Sequence, residues 1–72
     1  MLLGCSNTSD TIVYTLYRNS VVMEGARFHV ATFDSTESER YNNDNCLTAR
    51  DLFQQQPGVK TTFWCEKGKF RP

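Results

Sequence analysis

The chain has no Cys-x-x-Cys pair, a single histidine (His29) and no apolar run near the roughly 20 residues that cross a bilayer as a helix. The first two absences remove the usual zinc frameworks, so no metal is expected. There is no glycine-rich phosphate loop, no Ser/His/Asp set and no paired-carboxylate motif, and the 4 glycines are scattered. No catalytic residue and no cofactor are therefore expected, and the chain reads as a non-enzyme. Net charge is also missing: 8 basic and 8 acidic side chains cancel. That balance argues against non-specific nucleic-acid binding driven by electrostatics. Cysteine is scarce, with 3 residues far apart at Cys5, Cys46 and Cys65. An odd, widely spaced set does not read as a disulfide framework.

What is present fits one small domain. A chain of 72 residues buries only roughly 60% of its unfolded surface, so its core is marginal. Domains of this size gain stability from cross-links, metals or self-association. With the first two set aside, a homodimer is the expected remedy.

Residues 11–18 alternate Ile12, Tyr14 and Leu16 against Val13, Thr15 and Tyr17, rich in β-branched and aromatic side chains, and predict a strand with both faces covered. An extension through Ser20 to Met23, with Asn19 as a bulge, stays open. After the Glu24-Gly25 turn signal, residues 26–33 resume the alternation, with Phe28 and Val30 on one side and His29, Ala31 and Phe33 on the other. Asp34-Ser35-Thr36-Glu37 has the spacing of a capping box. A later helix start near Tyr41 or Asn42 is the alternative. Cys46, Ala49, Leu52 and Phe53 form one stripe of an amphipathic helix that Pro57-Gly58 ends. Residues 59–67 then read as a last strand, with Val59, Thr61, Phe63 and Cys65 facing one way and Lys60, Thr62, Trp64 and Glu66 the other.

The order β-β-α-β predicts a small α+β domain spanning residues 11–72. A crossover through the helix makes the third strand parallel to the second. The sheet order is then 2-1-3, with one helix packed on one face. Ile12, Tyr14, Leu16, Phe28, Val30, Cys46, Ala49, Leu52, Phe53, Val59 and Phe63 are the expected core. Cys46 and Cys65 meet inside it as two reduced thiols behaving as small hydrophobes, because no base stands ready to activate either.

The helix-free face carries the candidate interaction surface: Tyr17, His29, Phe33 and Trp64, with Arg27 and Lys60 at the rim. A large apolar and aromatic patch marks an interaction site. Its favoured occupant is a second copy of the chain, followed by a partner protein anchored on Trp64 and Tyr17. The third reading stacks unpaired bases of single-stranded nucleic acid on the aromatics, with Arg18, Arg27 and Lys60 meeting phosphates. Residues 1–10 are Ser/Thr/Asn-rich and read as a flexible leader. Within them, Leu2-Leu3-Gly4-Cys5 has the local pattern of a bacterial lipobox, without a basic or apolar stretch before it. A lipid-anchored lipoprotein is the alternative that this pattern leaves open, and otherwise no membrane association is expected.

Several runs carry a resemblance: Thr-Leu-Tyr-Arg-Asn-Ser from Thr15, Ala26-Arg27-Phe28-His29-Val30-Ala31-Thr32-Phe33-Asp34, Ala49-Arg50-Asp51-Leu52-Phe53, Gln56-Pro57-Gly58-Val59 and Trp64-Cys65-Glu66-Lys67-Gly68. Together they resemble short uncharacterised proteins encoded by lambdoid prophages of enteric bacteria. The resemblance covers most of the chain after residue 10 and implies a small accessory phage product in the cytoplasm of the bacterial host. It brings no activity and no functional residue with it.

Overall fold

A computed structural model describes residues 10–71. The expectations for the leader, including Cys5, fall almost wholly outside the described residues. A short 3-10 turn, Asp10–Ile12, leads into β1, Tyr14–Arg18. Then come β2, Phe28–Phe33, the helix α1, Glu39–Gln54, and β3, Phe63–Lys67. The sheet order is β2-β1-β3, and β1 runs antiparallel to both neighbours. The predicted small α+β fold, with its central first strand and one helix on one face, is the fold observed.

Strand β1 supplies most of the core. Val13, Thr15, Leu16 and Tyr17 are all buried, and each fully buried large apolar side chain stabilises by about 1.5–3 kcal/mol. Tyr14, Leu16 and Arg18 face the helix, whereas Thr15 and Tyr17 face away from it. On β3 the same alternation puts Phe63, Cys65 and Lys67 on the helix side and Trp64 and Glu66 on the other.

Strand β2 breaks its alternation. Its partners across β1 run Phe33, Thr32 and Ala31, then jump to His29 and Phe28. Val30 is the extra residue of a β-bulge, and a one-residue insertion exchanges the faces of everything on one side of it. Ala31 and Phe33 therefore stand on the helix side, opposite Leu16 and Tyr14, and not beside His29 as uninterrupted alternation predicts.

The helix starts at Ser38, later than the capping-box reading and earlier than the Tyr41 alternative. The Ser38 Oγ accepts the Tyr41 amide at 3.0 Å, which satisfies one of the unpaired donors of the first turn. Asp34 cannot open the helix because Ser35 is already held: its N–H donates to Asn42 Oδ1, and its carbonyl accepts from Asn42 Nδ2. The inward stripe is Asn42, Cys46, Ala49 and Phe53, at spacings of four, three and four. Leu52 lies about 100° round the helix from Phe53. It is 63% exposed, which removes it from the expected core.

Gly58 adopts φ +83° beyond the helix end, the left-handed geometry for which glycine is best suited. β3 begins later than predicted because amide side chains hold the chain before it. Gln54 donates to Thr61 O and accepts from the Phe63 amide, and Asn19 Oδ1 accepts from the Thr62 amide. The segment from Ser20 to Met23 does not extend β1. It forms an exposed connection in which Ser20 Oγ accepts the Val22 and Met23 amides.

The largest departure concerns the cysteines. Cys46, at the middle of α1, and Cys65, at the middle of β3, form a disulfide. They do meet inside the helix side, as the two stripes require, but as a cross-link and not as free thiols. Closing a loop over a sequence separation of 19 is worth about 3 kcal/mol in the chain-entropy account.

Candidate interaction surface

The helix-free side is built around Tyr17, only 1% exposed although no helix covers it. Three groups enclose it. Trp64, its cross-strand partner on β3, lies nearly parallel to it with ring centroids 5.9 Å apart, the offset arrangement that aromatic quadrupoles favour. The Arg27 guanidinium sits 4.4 Å from the Tyr17 ring centroid, a cation–π contact. The third group is the chain's own C-terminal segment.

That segment, residues 68–71, crosses the face as a strap. Gly68 donates its N–H to Val13 O at 2.6 Å, and its carbonyl accepts the Thr15 hydroxyl at 2.7 Å. The Arg71 amide donates to the Tyr17 hydroxyl at 3.2 Å. Between them the Phe70 ring lies 6.1 Å from Tyr17 and 4.7 Å from His29. The crossing requires φ +113° at Gly68, and a Cβ there would meet only ordinary contacts at 3.7 Å and beyond. Glycine is needed for its backbone conformation and not for space.

Polar groups knit the layer together. Arg27 forms a 2.6 Å ion pair with Glu66 and donates to Arg71 O at 3.0 Å. Glu66 accepts the Trp64 indole N–H at 2.7 Å through its other oxygen. The indole hydrogen bond and the Arg27 charge together hold the Glu66 carboxyl below the usual carboxylate range, against partial burial that pushes it up. His29 exchanges a hydrogen bond with the Thr32 hydroxyl at 2.7 Å.

Of the six residues proposed from the sequence, Tyr17, His29, Trp64 and Arg27 come together. Phe33 does not, because the bulge turns it to the helix side. There it lines a cleft of about 370 Å³ with Tyr41, Asn42 and Asn45. Lys60 lies in the exposed segment before β3. Arg18, expected at the rim, faces the helix side, where its guanidinium lies 4.9 Å from the Phe28 ring centroid. Sequence reasoning missed Glu66 and Phe70 as members. Alternation does place Glu66 beside Trp64, but Phe70 lies beyond the last strand, where alternation assigns no face.

The opposite side offers an ionic cluster instead. Tyr14 donates its hydroxyl to Glu39 at 2.8 Å, and Lys67 approaches the same oxygen at 3.0 Å. The Tyr14 hydrogen bond, then Lys67, keeps the Glu39 carboxyl below its ordinary range. Among the described residues, no group of three or more His, Cys, Asp or Glu side chains could hold a metal ion, and no helix is long and apolar enough to cross a membrane. What the helix-free side presents chemically is aromatic surface around one internal ion pair, Arg27 with Glu66, edged by the basic strap residues Lys69 and Arg71. No family model, curated protein or solved structure matches the chain.

Proposed function

We propose that the protein is a small accessory association module without enzymatic activity, and that it pairs with a second copy of itself through the helix-free side. The observation that carries this reading is the composition of the outer layer there. Phe70 and His29 remain exposed, Trp64 is half-buried, and the one close ion pair, Arg27 with Glu66, is already satisfied within the chain. An isologous contact between such faces brings aromatic rings together and leaves the Arg27–Glu66 pair intact on each copy. Nucleic-acid binding is the weaker reading. Arg27 is committed to Glu66, Arg18 lies on the other side of the sheet, and the strap occupies the stacking platform.

Sedimentation equilibrium from about 10 µM to 1 mM tests it, a range that brackets the affinities of modest interfaces. A monomer–dimer equilibrium abolished by Phe70→Ser supports the assignment, and a strict monomer throughout would sink it. A phage or host protein bound by the same face is then the remaining occupant for an association module, with the prophage resemblance as its support.

The disulfide favours a second reading of where the module works. Buried structural disulfides belong to oxidising compartments, and this weighs against a cytoplasmic site of action. Export gives weight to Leu2-Leu3-Gly4-Cys5 as a lipidation signal that tethers the domain to a membrane surface through Cys5. Intact mass of membrane-fraction protein tests the tether. A diacylglyceryl thioether at Cys5, lost in Cys5→Ser, supports it; an unmodified Cys5 with the protein in the soluble fraction rejects it.

A further inference from the structure

We propose that the Cys46–Cys65 bond makes the stability of the fold depend on oxidation, so that the domain is firmly closed where thiols are converted to disulfides and weakly held where they are reduced. The inference rests on the bond between helix and sheet and not on the association surface, so the two fail separately.

Beyond the Asn42 hydrogen bonds to Ile12 and Ser35 and the Tyr14–Glu39 bond, the helix side has little apolar packing to hold it. Cys46 is the only fully buried apolar residue that α1 contributes, and the other fully buried helix residue is the polar Asn42. Ala49 is only half-buried, and Leu52 and Phe53 are exposed at 63% and 37%. Contacts between helix and β3 beyond the disulfide are the Phe53–Phe63 stack at 5.4 Å, the Gln54 amide to Phe63 N, and the surface pair of Glu39 with Lys67. Stacked rings add little beyond their burial, and an exposed ion pair adds less still. The cross-link joins the centre of α1 to the centre of β3, directly over Leu16, the cross-strand partner of Cys65.

The chemistry balances with a disulfide as acceptor. The Cys46 and Cys65 thiols lose two protons and two electrons to form one S–S bond, and glutathione disulfide taking them up leaves as two glutathione thiols. Reduction returns two hydrogens to two sulfurs and removes no heavy atom. It therefore tests the link without carving the cavity that a Cys→Ala change would leave.

The experiment equilibrates the full chain in buffers of graded reduced and oxidised glutathione. Each sample is read by alkylation mass, near-ultraviolet circular dichroism and a urea melt. The oxidised form is expected to carry one alkylatable thiol, Cys5. On reduction the folding constant should fall by a factor of about two hundred, from the loop entropy of a separation of 19, and the urea midpoint of the aromatic signal should drop together with the rise of two further thiols. Reduced protein that keeps its urea midpoint overturns the proposal, as does a mass map that places Cys5 in the bond. In cells, chain directed to an oxidising compartment should accumulate as the cross-linked form. Folded, reduced protein accumulating at equal level in a reducing cytoplasm overturns the proposal equally.

Discussion

Asn42→Ala is expected to be the most damaging single amide substitution on the helix. Asn42 is 1% exposed and spends its whole side chain on fastening. Nδ2 donates to Ile12 O at 2.6 Å and to Ser35 O at 3.0 Å, while Oδ1 accepts the Ser35 amide at 3.0 Å. It ties the helix to the turn before β1 and to the loop after β2. Three hydrogen bonds at about 1 kcal/mol each set a scale of roughly 3 kcal/mol. The cleft beside it lets water satisfy part of what is left behind, which brings the expected loss to about 2–3 kcal/mol. A domain of this length holds about 4–11 kcal/mol in total at typical values per residue, so the variant loses a large fraction of its stability.

The assay is a urea melt followed by Trp64 fluorescence, with Asn45→Ala as the matched control. Asn45 lies one turn on, is exposed, and its amide donates only to Tyr41 O within the helix. At a slope near 1 kcal/mol per molar urea, Asn42→Ala should move the midpoint down by about 2–3 M, and Asn45→Ala by less than about 0.5 M. Equal shifts for the two variants would refute the reasoning, because alanine is the better helix former at both positions and the bridge would then add nothing to the loss.

Acid should destabilise the fold through two carboxylates. Glu39 and Glu66 both titrate lower when folded than when unfolded, so their contribution is present above the ordinary carboxylate range and is lost as pH falls through the folded values; pH-dependent melts of Glu39→Gln and Glu66→Gln should show flatter acid limbs. A stop codon after Lys67 removes the strap and its hydrogen bonds to Val13, Thr15 and Tyr17. It is expected to cost about 2–4 kcal/mol at about 1 kcal/mol per bond plus lost burial and to raise acrylamide quenching of Trp64, with unchanged quenching as the contrary result. Leu52→Lys should stay within about 0.5 kcal/mol, since the side chain is 63% exposed; a loss above 2 kcal/mol by urea melt would restore Leu52 to the core.

The sheet order was legible because it follows from alternation and from the shortness of the connections. Strands β1 and β3 have uninterrupted two-residue periods, and a helix between β2 and β3 leaves little choice of topology. The bulge at Val30 was not legible. No glycine or proline marks it, and β-branched Val30 is an ordinary strand residue; its cost is met by cross-strand pairing on both sides, which only the folded sheet provides. One unmarked insertion was enough to send Phe33 to the wrong face. The helix start failed for a related reason. Asp34 and Ser38 are both good caps by type, and the choice falls to Ser38 because Asn42, eight residues beyond Asp34, occupies the Ser35 backbone. The cysteines were half legible. Their stripes place both on the inner side of the same pair of elements, but proximity in sequence pattern does not say whether two sulfurs come within bonding distance.

Strand β1 is covered on both sides by unlike means, and this bears on which face is free for a partner. On one side the cover is a helix of 16 residues tied down by a disulfide and by Asn42. On the other it is the strap of residues 68–71, anchored by short hydrogen bonds at Gly68 and two longer ones at Arg71. Local opening follows the cover with fewest buried contacts, so the strap yields before the helix. Trp64 is therefore partly available while the strap is seated, and Tyr17 becomes available only when it lifts. A partner that needs the whole aromatic face must displace Phe70 and break the Arg27 contact with Arg71 O, whereas one that reads Phe70 and His29 binds the closed form. The terminal strand's second face is thus a surface with its own removable cover, and removing that cover leaves the cross-linked side intact.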